Sequence, residues 1–143
     1  MKYSTTSQKR LDTGEYDLRV LFNEVIKTTR VDFGIADVFR TIAKQLQYFK
    51  EGKSDKDGIN NLSKHNYNPS RAVDIYGWVN GRETYDERTL CYLAGHIMGT
   101  AAELLKAGKI THEIRWGGNW DDDGEIITDQ RLRDLVHFEL MGF

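Results

Sequence analysis

The chain has 143 residues, of which 39% are hydrophobic and 29% charged, with a net charge of −2 and a pI near 6.1. That balance fits one globular domain over residues 1–143 with a core of its own, and it lacks the basic excess of a nucleic-acid binder. The lone cysteine, Cys91, cannot close an internal disulfide, and no stretch has the length or apolarity of a membrane span or a signal-peptide core. A cytosolic product without its own export signal is therefore expected.

Residues 4–12 are polar and read as a loose entry. From Tyr16, the spacing of Leu18, Leu21, Phe22, Val25 and Ile26 predicts an amphipathic helix, with Asp12 or Thr13 as its cap. Val31, Phe33 and Ile35 then alternate, which predicts a strand within 31–38. Arg40 stands at the joint to a second helix with Ile42, Leu46 and Phe49 on one side. It reads either as a surface arginine or as an anchor for a carbonyl or oxyanion, because a guanidinium presents fixed donors.

Residues 51–61 form a polar, glycine-containing loop that leads to Ser63 and His65. Residues 66–70 hold the chain's only proline, Pro69, and predict a turn. Ala72-Val73-Asp74-Ile75-Tyr76 is strand-like apart from its carboxylate. Taken singly, His65 suits a solvated loop and Asp74 a turn or cap, although the apolar neighbours of Asp74 argue against the second. Residues 77–84 read as a loop carrying Trp78.

Asp86 is placed to cap a long helix whose stripe is Leu90, Ala94, Ile97, Ala101 and Leu104, with Gly108 as its stop. His96 falls off that stripe and is expected to be exposed, and Cys91 at its edge reads as a packing residue. Residues 110–116 alternate as a strand that puts His112 on a face with Ile110, Ile114 and Trp116, as a supporting histidine or as a ligand. Gly117 and Gly118, between Trp116 and Trp120, predict a tight turn with aromatic walls beside a pocket. Asp121, Asp123 and Glu125 suit a solvated turn; a calcium site there would lack the full spacing of an EF-hand loop.

The last run, Asp134-Leu135-Val136-His137-Phe138-Glu139-Leu140, is strand-like and again interrupted by ionisable groups. Burying a charge costs several kcal/mol unless it is paired or bound to a cation, so such residues should be scarce in strands. In a small domain the two interrupted strands can converge. His65, Asp74 and His137 would then form the two-histidine, one-carboxylate set of a catalytic zinc with one position open. Asp134, three residues before His137, would lie within reach of a water there and could move its proton. Glu139 shares a strand face with His137 and could accept a hydrogen bond from its ring.

Ser63-x-His65 with Ala72-Val73-Asp74, Trp116-Gly117-Gly118-x-Trp120, and Asp134-x-x-His137-Phe138-Glu139 occur in that order. Together they resemble the zinc D-alanyl-D-alanine carboxypeptidase family, and most closely its bacteriophage endolysins of the L-alanyl-D-glutamate peptidase type. The resemblance implies an α+β fold, with a small, mostly antiparallel sheet, helices packed on one face and a zinc cleft on the other. It implies Zn2+ on His65, Asp74 and His137, Asp134 as the catalytic acid–base, and Arg40, with Gln45 downstream, polarising the scissile carbonyl. An aspartate at position 134 favours the endolysin branch, since the carboxypeptidase branch usually has glutamate. The nine positions from His65 to Asp74 exceed the family's commonest spacing, and the extra residues fall in the 66–70 turn.

The implied substrate is the peptidoglycan stem peptide, and the implied protein is a monomer that neither inserts in membranes nor binds nucleic acid. It would wait in the host cytoplasm and reach the periplasm and cell wall at lysis. Two alternatives remain open at this point. One is a D-alanyl-D-alanine carboxypeptidase of the same fold. The other is a binding module whose zinc is closed off by His112.

Overall fold

A computed structural model describes residues 1–128 and 134–143. In chain order the elements are α1 (Thr5–Leu11), α2 (Tyr16–Thr28), β1 (Phe33–Asp37), α3 (Ile42–Lys50), a 3-10 turn (Lys64–Asn66), β2 (Ala72–Val79), β3 (Arg82–Thr84), α4 (Glu87–Lys106), β4 (Ile114–Gly117) and β5 (Asp134–Leu140). The strands make one antiparallel sheet in the order β1-β2-β5-β4, and β3 pairs with the far half of β2. The class is α+β, as the motifs imply.

Strand alternation divides the sheet into an apolar face and a polar one. Val73 pairs with Phe138 and Ile35 with Ile75, and all four are fully buried. Against this face lie Leu18, Leu21, Phe22 and Val25 of α2 and Leu93, Ala94 and Ile97 of α4. The neighbouring register positions point the other way: Asp74 pairs with His137, and Ala72 with Glu139. One strand-length of sequence therefore supplies both the core and the polar cleft, because a pleated strand sends alternate side chains to opposite faces. No described helix is long and apolar enough to cross a membrane.

Helix α4 follows its sequence signals. Its five stripe residues are all buried, Asp86 accepts from Thr89 N at 3.1 Å, and Gly108 adopts φ +73°. Other expectations need correction. The polar entry is a helix, α1, capped by Ser4 and anchored by buried Ser7, whose Oγ accepts from Ile35 N at 3.1 Å. Neither Asp12 nor Thr13 caps α2; Glu15 occupies that position and makes no side-chain cap bond. The loop after β2 is a hairpin. Asn80 and Gly81 both take left-handed φ, 52° and 76°, which matches a two-residue type I′ turn. His96 is half-buried against α2, its Nε2 2.9 Å from Thr28 Oγ1.

The stripe on α3 does not enter the core. Ile42 and Phe49 are 51% and 44% exposed, and the helix's buried residue is Gln45. This helix is positioned by a polar contact at the cleft instead.

One buried carboxylate ties the helical layer to the sheet. Asp17, in the first turn of α2, accepts from the backbone N–H groups of Thr111 and His112, each at 2.9 Å, and lies 2.8 Å from His112 Nδ1. Burial alone would raise its pKa, but the His112 side chain and the two amides outweigh burial and hold it below the usual range. A depressed carboxylate stabilises the fold above its unfolded pKa, about 3.9, and that contribution is lost as pH falls through the folded value. Asp17→Ala is expected to cost about 1–3 kcal/mol at neutral pH. Urea denaturation at pH 7 and at pH 3.5 checks it: the gap between wild type and variant should narrow at the lower pH.

Candidate metal centre and active site

The centre begins with a loop whose backbone is held on several sides. Ser63 caps the 3-10 turn, its Oγ accepting from His65 N, and Asn66 Oδ1 accepts from Ser63 N. Arg40 N donates to His65 O at 2.9 Å, and Asn66 Nδ2 donates to Arg40 O. His65 is thereby fixed and 2% exposed, not the solvated loop histidine that its sequence context alone suits. Its Nδ1 lies 2.7 Å from the Val38 carbonyl oxygen. A carbonyl can only accept, so Nδ1 carries a proton and Nε2 is the ring nitrogen turned toward the cleft.

Asp74, the third residue of β2, lies directly opposite His137 on β5. Its Oδ1 is 3.2 Å from His65 Nε2 and 3.0 Å from His137 Nδ1. The other ring nitrogen of His137, Nε2, donates to Glu139 Oε1 at 2.9 Å. Glu139 thus has the supporting place that its spacing suggested, and it leaves Nδ1 as the inward atom of His137. One ligand atom from each of His65, Asp74 and His137 lies within 4.8 Å of the other two.

The electrostatics of this cluster favour positive charge. Burial opposes ionisation of Asp74, but the charges and hydrogen bonds of His65 and His137 hold its carboxyl far below the usual range. Burial likewise works against a charged His137. Its bonds to Asp74 and Glu139, and the charges of Asp74 and Asp134, nevertheless push it up to about 10. Asp134, at the start of β5, is pushed up to about 6, first by burial and then by the negative charge of Asp74. A carboxyl displaced toward neutrality beside a cluster of potential ligands suits proton exchange.

All four residues open onto one cavity of about 780 Å³, also lined by Arg40, Arg115 and Trp120. The family profile described as phage L-alanyl-D-glutamate peptidase matches residues 1–141. The chain belongs to that family. Its fold is also that of the crystal structure of the Serratia marcescens L-Ala D-Glu endopeptidase ChiX, with a TM-score of 0.75 and 21% identity over 98% of this chain and 90% of that one. No curated protein matches the sequence.

In this L-alanyl-D-glutamate peptidase family member, Arg40 is buried rather than superficial. Its Nε donates to Asp37 at 2.8 Å, Nη1 to Gln45 at 2.7 Å and Nη2 to Asp74 Oδ2 at 3.4 Å, and the guanidinium lies over the Tyr48 ring. Gln45 is held in turn by donating to Ser54 Oγ and Lys56 O. This explains why α3 buries a glutamine: the helix braces the arginine that braces Asp74.

Two aromatic walls were expected beside the pocket, and one is present. Trp120 lines the cavity, with its ring centroid 5.6 Å from that of His137. Trp116 is in the core, where Nε1 donates to Leu135 O at 2.9 Å, and Trp78 is exposed on β2. Among the described residues His112 lies outside the ligand cluster: it is bound to Asp17 and stacks on Phe143, which also meets the Arg71 guanidinium. Around the acidic turn, Asp123 Oδ1 accepts from Glu125 N and Glu125 Oε1 from Thr128 Oγ1, the local bonds of a solvated turn.

Gly117 has a specific steric task. It pairs with Asp134, and a side-chain carbon there would fall on the Asp134 carbonyl oxygen. Gly117→Ala should push the start of β5 outward and carry Asp134 with it. We expect a fall in hydrolysis of at least about tenfold with metal content unchanged, since displacement of a cavity-lining group by about 1 Å is costly wherever that group takes part in the reaction. Steady-state kinetics beside metal analysis checks this.

Proposed function

We propose that the chain is a zinc-dependent peptidoglycan hydrolase, with His65, Asp74 and His137 as metal ligands, Asp134 as acid–base and Arg40 as the oxyanion anchor. The observation that carries the reading is the convergence of one carboxylate and two imidazoles, each anchored by its outer nitrogen, with Asp134 on the same cavity. Two nitrogens and one oxygen suit zinc, and three protein ligands leave a place for water or substrate. When bound, zinc would supply an acidified water and polarise the scissile carbonyl.

The chain's own residues do the rest. Asp134 accepts the proton of the attacking water and later returns it to the departing amide nitrogen. Arg40 has five N–H donors, three of them engaged with Asp37, Gln45 and Asp74, and its remaining donors can meet negative charge as it forms on the carbonyl oxygen. Glu139 holds the His137 ring in one tautomer. The bond broken is that between L-alanine and D-glutamate in the stem peptide, and its hydrolysis would weaken the host wall and release the cell contents. A cytoplasmic wait before lysis accords with this role.

Mass spectrometry of purified peptidoglycan after digestion tests the reading. New amino termini on D-glutamate are expected. Release of free D-alanine with the L-alanyl-D-glutamate bond intact would overturn it in favour of a carboxypeptidase.

A further inference from the structure

The proposed mechanism uses Arg40 and leaves the cavity's second arginine unused. Arg115 sits on β4 directly opposite Glu139, on the polar face of the sheet. Its Nη2 donates to Glu139 Oε2 at 3.0 Å, and its guanidinium carbon lies 5.2 Å from the Trp120 ring centroid. Its Nε–H is buried with no hydrogen-bond partner among the described residues, although about a third of the side chain is exposed to the cavity. The part of the guanidinium that is open to the cavity, anchored by Glu139, is placed to meet an incoming acceptor.

Its position tells which acceptor. Arg115 is one strand over and two residues along from the Asp74–His137 pair. From His137 that is a displacement of about 5 Å across the sheet and about 7 Å along it, a gap that a long arginine side chain and the substrate residue after the scissile bond can close together. A D-glutamate following the scissile amide has two carboxyl groups, and at most one of them continues the peptide. The other is a free carboxylate within one residue of the bond being broken. We propose that Arg115, steadied by Glu139 and Trp120, receives this free carboxylate and makes the enzyme selective for D-glutamate over its amidated form. The inference rests on the peptidase reading above.

Arg40 is less suited to the task, since its guanidinium is buried and already braces Asp37, Gln45 and Asp74. Lys53 and Lys56, which also line the cavity, are exposed, and an ammonium is a point charge. A planar guanidinium fixed at one nitrogen gives the directional recognition of a carboxylate that a lysine does not.

The test uses two synthetic stem peptides. They are identical except that the free carboxyl of D-glutamate is a carboxylate in one and a primary amide in the other. For the zinc-loaded wild type, kcat/KM should favour the carboxylate peptide by about 10- to 100-fold, mostly through KM, the value of a charge-assisted hydrogen bond. Arg115→Met should bring that ratio close to one, and Arg115→Lys should retain part of it. Equal loss on both peptides in Arg115→Met would overturn the proposal, because it would mean that Arg115 acts only through Glu139 and His137. A wild-type ratio of one would overturn it without any variant. If zinc-loaded wild type cleaves neither peptide, the peptidase reading itself fails and this inference falls with it.

Discussion

Asp134→Asn is expected to bind the metal as the wild type does and to hydrolyse the stem peptide about 10²- to 10⁴-fold more slowly, the range lost with a general acid–base. Asparagine keeps the size of the side chain but cannot hold and return a proton. Asp134 lies outside the three-residue cluster, so metal content should be untouched. Its placement on the cavity, with a pKa lifted by burial and by Asp74, is the ground for the proposed role. Metal analysis and steady-state kinetics on the same sample read both halves. Near wild-type turnover in metal-replete Asp134→Asn would remove Asp134 from the mechanism.

Asp74→Ala should have the opposite signature, with metal and activity lost together. Asp74 Oδ1 faces both histidines and Oδ2 accepts from Arg40. Loss of a partner that merely orients a ligand costs about 10- to 100-fold in metal affinity, so loss of a ligand should exceed about 10³-fold. The substitution also strips Arg40 of an acceptor and leaves buried positive charge less compensated, so the fold should weaken as well. Isosteric Asp74→Asn separates the effects, since it keeps the volume and one acceptor while removing the charge. Metal titration of both variants, with thermal unfolding alongside, checks the prediction.

The site was more legible in the sequence than much of the scaffold, for a physical reason. An ionisable residue inside an apolar strand run has few explanations, and Asp74, His137 and Glu139 each break such a run. The structure brings them together across one strand pair. Helix α4 was equally plain, because a 20-residue amphipathic stripe with a cap and a glycine stop leaves little choice.

Other elements lacked such a signal or carried one that tertiary context overrode. Helix α1 buries only Ser7 and Leu11, too few positions to show a period. The apolar residues of α3 imply a core face, yet the buried contact is polar, Gln45 to Arg40, which periodicity cannot report. His112 shares strand parity with core residues, but the strand begins only at Ile114, and the ring turns to Asp17. The β2–β3 hairpin was readable: Asn80-Gly81 is a strong turn signal, outweighed by the polar character of its surroundings.

The central claim is that hydrolysis of the L-alanyl-D-glutamate bond depends on a zinc ion held by His65, Asp74 and His137. The most direct measurement strips the protein with a chelator, removes the chelator, and follows cleavage of a stem peptide during stepwise return of zinc or magnesium. Activity should vanish on stripping and return in proportion to zinc, saturating at one equivalent per chain, with magnesium ineffective because it favours oxygen ligands. Undiminished cleavage by verified metal-free protein would contradict the account.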